Sequence, residues 1–143
     1  MTTTGPATTG TTTTGESCPD RSYSHSTLQL FRFSAVSWNS HRIHYDEPYA
    51  RSEGHPGPVV QSTLHGEMLA RHALDWAGPD ARLEGVSWRN QGTATAGEPL
   101  TWKAVVRSAA PADDGLRLSL DASIVKADGT PCVTGTVDLL RPA

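Results

Sequence analysis

Apolar side chains fall along this chain in short bursts divided by Gly, Pro and Asp, and the spacing within each burst changes with position. Structure is expected to begin near Ser24. The run STLQLFRFSAVSW then sets Leu28, Leu30 and Phe31 to Phe33 in partial alternation, which reads as a first β-strand. DEPYARSE, residues 46–53, opens on Asp46 as an N-cap, carries Glu47 and Pro48 in its first turn and stops at Gly54, so it predicts a short helix. His55-Pro56-Gly57-Pro58 makes a tight connection. From Val59 to Trp76 the spacing is helical. Leu64, Met68, Leu69, Ala70, Ala73, Leu74, Trp76 and Ala77 cover more than half the circumference, so this helix is wrapped by other structure rather than laid on a surface. Gly78-Pro79 ends it.

Four β-like segments follow, at residues 82–90, 99–108, 115–126 and 131–140. The turns between them are legible at Gln91-Gly92 through Gly97-Glu98, at Pro111 through Asp114, and at the hairpin signal Asp128-Gly129. The predicted order is a strand, a buried helix and an antiparallel meander, an α+β domain spanning residues 23–143. Residues 1–22, rich in Thr, Gly, Ser and Pro, have too little apolar surface to offset the entropy of ordering and are expected to be a disordered tail.

Composition narrows the function classes. At 143 residues the chain suits one domain with a core of its own. A net charge of -3 and the lack of any basic run exclude an electrostatic nucleic-acid footprint. Cys18 and Cys132 are too far apart to suggest a disulfide framework or zinc spacing. His65 and His72 sit seven apart on the long helix with no third ligand, so no metal and no cofactor is expected. No secretory leader and no bilayer-length apolar run is visible, and a soluble cytoplasmic protein is the expectation.

Candidate chemistry gathers in FRFSAVSWNSHRIHYD, residues 31–46, where Asn39, His41 and His44 stand between an apolar run and an acidic helix start. About a dozen residues on, the long helix begins, and its N-terminus can receive negative charge. Together the two segments suggest an acyl-thioester site.

The predicted layout is that of the hot-dog fold, a curved antiparallel sheet around one long central helix. The stretch WNSHRIHYDEPYARSEGHPGPVVQSTL resembles the hydratase signature of MaoC-like proteins, Asp-x-Asn-Pro-x-His-x-Asp followed by Gly-x-x-x-Pro-hydrophobic-His-Gly. It is more similar to the variant Asn-x-His-Arg-Ile-His-Tyr-Asp of the hydroxyacyl-thioester dehydratase type 2 family and of the C-terminal half of mesaconyl-CoA hydratase-like proteins, which residues 39–46 match throughout. The likeness runs from about Leu30 to Trp76.

The resemblance implies addition of water across the α,β double bond of an acyl thioester, or its reverse. His44 falls on the catalytic histidine and Asn39 on the usual catalytic aspartate; His41 and Arg42 replace Asn-Pro, and Gln61-Ser62 replace His-Gly. An asparagine cannot take a proton, so His44 carries the proton transfer, Asn39 orients water or the leaving hydroxyl, and His41 is a further candidate for acid/base work. Oxyanion donors are expected at the helix start, Gln61, Ser62 and Thr63, through backbone N–H groups. Trp38 is a candidate wall of the acyl pocket.

Plainer roles compete at each position. His44 can be a structural histidine, His41 a loop cap, Asn39 an Asx-turn former, and Arg42 a partner of Asp46 or Glu47. Trp76, Trp88 and Trp102 read as core or interface residues. Arg51, Arg71, Arg89, Lys103 and Arg107 are candidate phosphate contacts.

The leading expectation is an (R)-specific 3-hydroxyacyl-thioester dehydratase or enoyl-thioester hydratase acting on acyl-CoA or acyl-carrier-protein substrates. The alternatives are a hot-dog thioesterase using Glu67 with Gln61 positioning water or the carbonyl, and a non-catalytic hot-dog subunit supporting an active partner. Type-2 dehydratases often hold two hot-dog halves. The resemblance therefore implies pairing with a second hot-dog chain, as homodimer or heterodimer, with sheets joined edge to edge. Neither a nucleic acid nor a membrane is an expected partner.

Overall fold

The computed structural model describes residues 11–143. Strict alternation builds its sheet. In β3 (Leu100–Ala112) the side chains of Leu100, Trp102, Ala104 and Val106 are buried while Lys103, Val105 and Arg107 face out, and β4 (Gly115–Lys126) repeats the pattern with Leu118, Leu120, Ala122 and Ile124. β5 (Pro131–Pro142) adds Val133, Val137 and Leu139 to the same core, and β2 (Arg82–Asn90) closes one side. With β1 (Arg21–Tyr23) at the other edge, all neighbours pair antiparallel in the order β1-β3-β4-β5-β2. The hairpin at Asp128-Gly129 forms as expected, with Gly129 at φ 85° and the Thr130 amide donating to Asp128 Oδ1.

Against this sheet lies α3 (Ser62–Ala77), which touches β2, β3, β4 and β5 and buries Leu64, Leu69, Ala70, Ala73 and Ala77. The result is the hot-dog arrangement, as expected. The short helix α2 (Glu47–Ser52) also forms, capped by Asp46 through the Tyr49 amide.

Two expectations fail. The run read as the first strand is a helix, α1 (Thr27–Val36), and the reason is local: Ser26 Oγ accepts from the Gln29 amide while Gln29 Oε1 accepts from the Ser26 amide. That reciprocal pair is a capping box, which sets helical geometry before the apolar residues choose a face. Leu30 and Ser34, four apart, are the buried positions, and Leu28 and Phe31 stay exposed.

The first strand lies instead in the predicted tail. β1 (Arg21–Tyr23) pairs with Thr101 and its neighbours on β3, and pairing continues upstream through Cys18 N–H to Ala104 O (2.9 Å) and Gly15 N–H to Val106 O (2.8 Å). Backbone bonding to an otherwise unpaired β3 edge compensates for the scarcity of apolar side chains. The expected boundary at residue 22 is therefore not observed; residues 1–10 of that tail lie outside the described residues. Cys18 and Cys132 are both buried free thiols.

Candidate active site

His44 sits in a 3-10 turn, Arg42–His44, and is buried. Two bonds fasten this turn to the approach of α3. The Val59 amide donates to Ile43 O (2.8 Å), and His44 Nδ1 lies 2.6 Å from Val59 O. A carbonyl only accepts, so Nδ1 carries the proton and Nε2 is left with its lone pair. Val59 is two residues before the N-cap of α3, Gln61, so the ring is held beside the helix tip. Burial lowers the His44 pKa, the bond to Val59 O opposes that shift, and His41 and His55 lower it further. The ring is thus a neutral imidazole near pH 7, able to take a proton.

His41 and Asn39 build the turn rather than point into a shared slot with His44. His41 is exposed, and its Nδ1 accepts from the Ile43 amide (3.3 Å), the loop-capping role weighed for it. Its ring centroid is 6.1 Å from that of His44. Asn39 Oδ1 accepts from the His41 amide (3.3 Å), an Asx-type turn that leaves the amide nitrogen free to donate. Arg42 pairs with Asp46 at 2.7 Å and lies over the Tyr49 ring.

Trp38 owes its position to the end of α1. The Asn39 amide donates to Ser34 O (3.0 Å) and the Ser37 amide to Phe33 O (3.0 Å), closing a Schellman-type stop whose left-handed residue is Trp38, φ 55°. Glycine normally takes that place, and a bulky residue there is strained by about 1–2 kcal/mol. Trp38 walls a cavity of about 430 Å³ with Phe31, Ser34, Ala35, Asn39, Ser40 and Tyr45, yet it is 93 % exposed.

The tip of α3 is open. Gln61 is fully buried, and its Nε2 donates to Leu30 O (2.8 Å) and Ser34 Oγ (2.9 Å) on α1. Because Leu30 O can only accept, the amide orientation is determined, and Oε1 is left buried without a partner among the described residues. Gln61 therefore gives its own helix no side-chain cap. Ser62 Oγ is likewise engaged elsewhere, accepting from Trp88 Nε1 (3.1 Å), and Thr63 is exposed. Trp88 reaches Ser62 because residue 66 is glycine: a Cβ there would lie 2.6 Å from the indole. With both polar side chains turned away, the first-turn amides of a 16-residue helix remain available to an anion.

Of the predicted residues, His44 is tied to Val59, two residues before Gln61, Asn39 and Trp38 share the cavity, His41 braces the turn, and the side chains of Gln61 and Ser62 are engaged by α1 and Trp88. His44 is not among the cavity's lining residues. Ser34 bridges the two groups, with its hydroxyl on Gln61, its carbonyl on Asn39 and its side chain in the cavity wall. Sequence reasoning missed Ser34; the signal was the Ser26-x-x-Gln29 box, which makes residues 30 and 34 one buried face. Glu67 is exposed on α3, 3.9 Å from Arg71 and outside this cavity. Among the described residues no group of three or more His, Cys, Asp or Glu side chains is placed to hold a metal ion, and no helix is long and apolar enough to cross a membrane.

Residues 3–96 match the family of hydroxyacyl-thioester dehydratases type 2. The chain belongs to that family. Over 114 residues it is 40% identical to the mesaconyl-C(4)-CoA hydratase of Chloroflexus aurantiacus, a match covering 77% of this chain and 36% of that protein. The chain thus spans about a third of the length of this curated relative. The (R)-hydratase of A. caviae involved in PHA biosynthesis superposes with a TM-score of 0.79 at 20% identity, covering 90% of this chain and 96% of the other. A chain of the ChsH1-ChsH2 complex of Mycobacterium tuberculosis gives 0.77 at 20% identity, covering 92% and 99%. At that identity these two likenesses establish the hot-dog fold.

Proposed function

We propose that this member of the dehydratase family is a hydro-lyase, interconverting an (R)-3-hydroxyacyl thioester and its enoyl form on coenzyme A or a carrier protein. The observation that carries the reading is the buried His44 ring, its Nδ1–H spent on Val59 O beside an uncapped helix tip. In hydration, Nε2 takes a proton from water as the water oxygen bonds to C3. The electron pair of the double bond moves through C2 onto the thioester oxygen, where the α3 amides stabilise it. The imidazolium then returns its proton to C2 and the carbonyl re-forms, so atoms and charge balance with one base. Asn39 lines the separate cavity beside Trp38 and takes no part in this proton transfer.

The reading includes a second hot-dog chain. Leu28, Phe31, Val36 and Trp38 leave an apolar strip exposed along and beyond α1, and among the described residues β2 is an unpaired sheet edge. Two of the similar proteins support pairing: one is a two-protein complex, and the other is nearly three times the matched length. A homodimer and a heterodimer both satisfy these surfaces, and light scattering showing a monomer at micromolar concentration would remove this part of the proposal.

Asn39 in the aspartate position, together with the absence of His44 from the cavity wall, favours one second reading, a supporting subunit active only beside a partner. For the thioesterase alternative, Glu67 lies away from the helix tip and is ion-paired. Incubation with crotonyl-CoA and with (R)-3-hydroxybutyryl-CoA, following enoyl absorbance and free thiol together, separates all three. Enoyl change without thiol, abolished in His44→Ala, supports the lyase; thiol release supports the thioesterase; activity only on adding a second chain supports the subunit.

A further inference from the structure

The indole of Trp88, on β2, lies along one turn of α3. Its Nε1 donates to Ser62 Oγ (3.1 Å), and its six-membered ring rests on Gly66, four residues further along the same helix face, where a Cβ would lie 2.6 Å from the ring. A second glycine seats it from the strand side: Gly135 on β5 is in register with Trp88, and a Cβ there would stand 3.0 Å from Trp88 Cα. We propose that Trp88 is a positioning residue for the hydration step, its indole N–H holding the Ser62 hydroxyl off the oxyanion amides of α3. The assignment deepens the hydro-lyase reading and rests on it.

The need for such a hold follows from where Ser62 stands. The first helical bond of α3 runs from His65 N–H to Gln61 O (3.1 Å), so the amides of Ser62, Thr63 and Leu64 precede any acceptor within the helix. A serine in that turn competes for them, its oxygen folding back to the amide two residues on. Side-chain oxygens do take first-turn amides elsewhere in this chain: Ser26 Oγ accepts from the Gln29 amide in α1, and Asp46 Oδ1 from the Tyr49 amide in α2. An indole N–H only donates, so Ser62 Oγ is the acceptor in its bond with Trp88, and the rotamer that meets the indole makes no bond to the α3 amides. Without the indole, the hydroxyl would have to be displaced before those amides could meet the thioester oxygen. That oxygen gains its charge in the transition state, so the loss falls on kcat rather than on KM.

Crotonyl-CoA kinetics and amide hydrogen exchange by NMR test this together, in wild type, Trp88→Phe, Ser62→Ala and the double variant. Trp88→Phe removes the donor and keeps a ring beside Gly66. It is expected to lower kcat about five- to tenfold with KM little changed, and to slow exchange of the Leu64 amide by a similar factor. In the Ser62→Ala background both effects of Trp88→Phe are expected to vanish, because no hydroxyl remains to fold back. Should a thermal melt show that Trp88→Phe does not fold, Gly66→Ala, whose methyl pushes the indole aside, reaches the same state by a second route. An equal loss of kcat in the two backgrounds overturns the assignment and leaves Trp88 a packing residue. Unaltered Leu64 exchange in Trp88→Phe overturns it as well. Exchange that slows and recovers as expected, in a protein without enoyl chemistry, places the failure in the hydro-lyase reading and not in the hold of Trp88 on Ser62.

Discussion

His44 and His65 are both buried histidines near the first turns of one helix, and they differ in how their nitrogens are used. His44 gives one nitrogen to Val59 O and keeps the other for chemistry. His65 is 2% exposed, and neither ring nitrogen has a partner among the described residues. Its electrostatic neighbour His25 belongs to a row of rings with Tyr23, His72 and Trp102, with centroids 5.2 Å apart for Tyr23 and His25, 5.1 Å for Tyr23 and His72 and 5.8 Å for His72 and Trp102. Burial pushes the His65 pKa down to about 4, with His25 adding to the shift, and lowers His25 and His72 as well. The bond to Val59 O thus separates a histidine with a fixed tautomer and one nitrogen left for proton transfer from one whose burial favours the neutral ring.

The contrast breaks most visibly at His44. His44→Ala is expected to lower kcat for enoyl hydration by roughly 10²–10⁴-fold, read in a crotonyl-CoA assay. In wild type the same assay should lose activity on acidification, through a pKa below the ordinary 6.5, because the active form is the neutral ring. Retention of more than half the activity in the alanine variant would remove His44 from the chemistry.

Gln61 tests the link between the two halves of the site. Gln61→Ala leaves Leu30 O and Ser34 Oγ without their donor, and should cost about 1–3 kcal/mol in denaturant unfolding. An unchanged midpoint would mean that the α1–α3 tie is dispensable.

His65→Leu should do the reverse of His44→Ala, sparing turnover while changing acid stability. Folding lowers the row's pKa values, so the unfolded chain takes up protons first. Stability then falls as pH drops below about 6.5, and for His65 the loss continues to about 4. The leucine variant should show a shallower fall in Tm between those limits. Equal slopes would locate the acid sensitivity elsewhere.

The smallest effect is expected at Trp38. Trp38→Gly relieves the left-handed strain and should raise stability by about 1 kcal/mol, while thinning the wall of the Asn39 cavity. Loss of stability would mean that the exposed indole is held by contacts not visible in one chain.

Much of the fold was legible because it is repetitive. Strands 82–90 and 115–126 were bounded to the residue by alternation and turn chemistry, and α3 was found to within a few residues by its apolar circumference. The N-terminal third was misread because its signals are single residues. Ser26 and Gln29 outweigh a β-like run, and a strand made of Arg21, Ser22 and Tyr23 forms only because β3 offers an edge.

For the site, sequence determined which side chains are present: the imidazole at 44, the amide at 39 where a carboxylate is usual, and glutamine and serine at the start of α3. Tertiary structure alone decided what each is free to do. Val59 O claims one nitrogen of His44, Leu30 O and Ser34 Oγ claim Gln61, and Trp88 claims Ser62. A hydrogen-bonding group acts on a substrate only with the capacity its neighbours leave unused, and those neighbours lie 15 to 31 residues away in the chain.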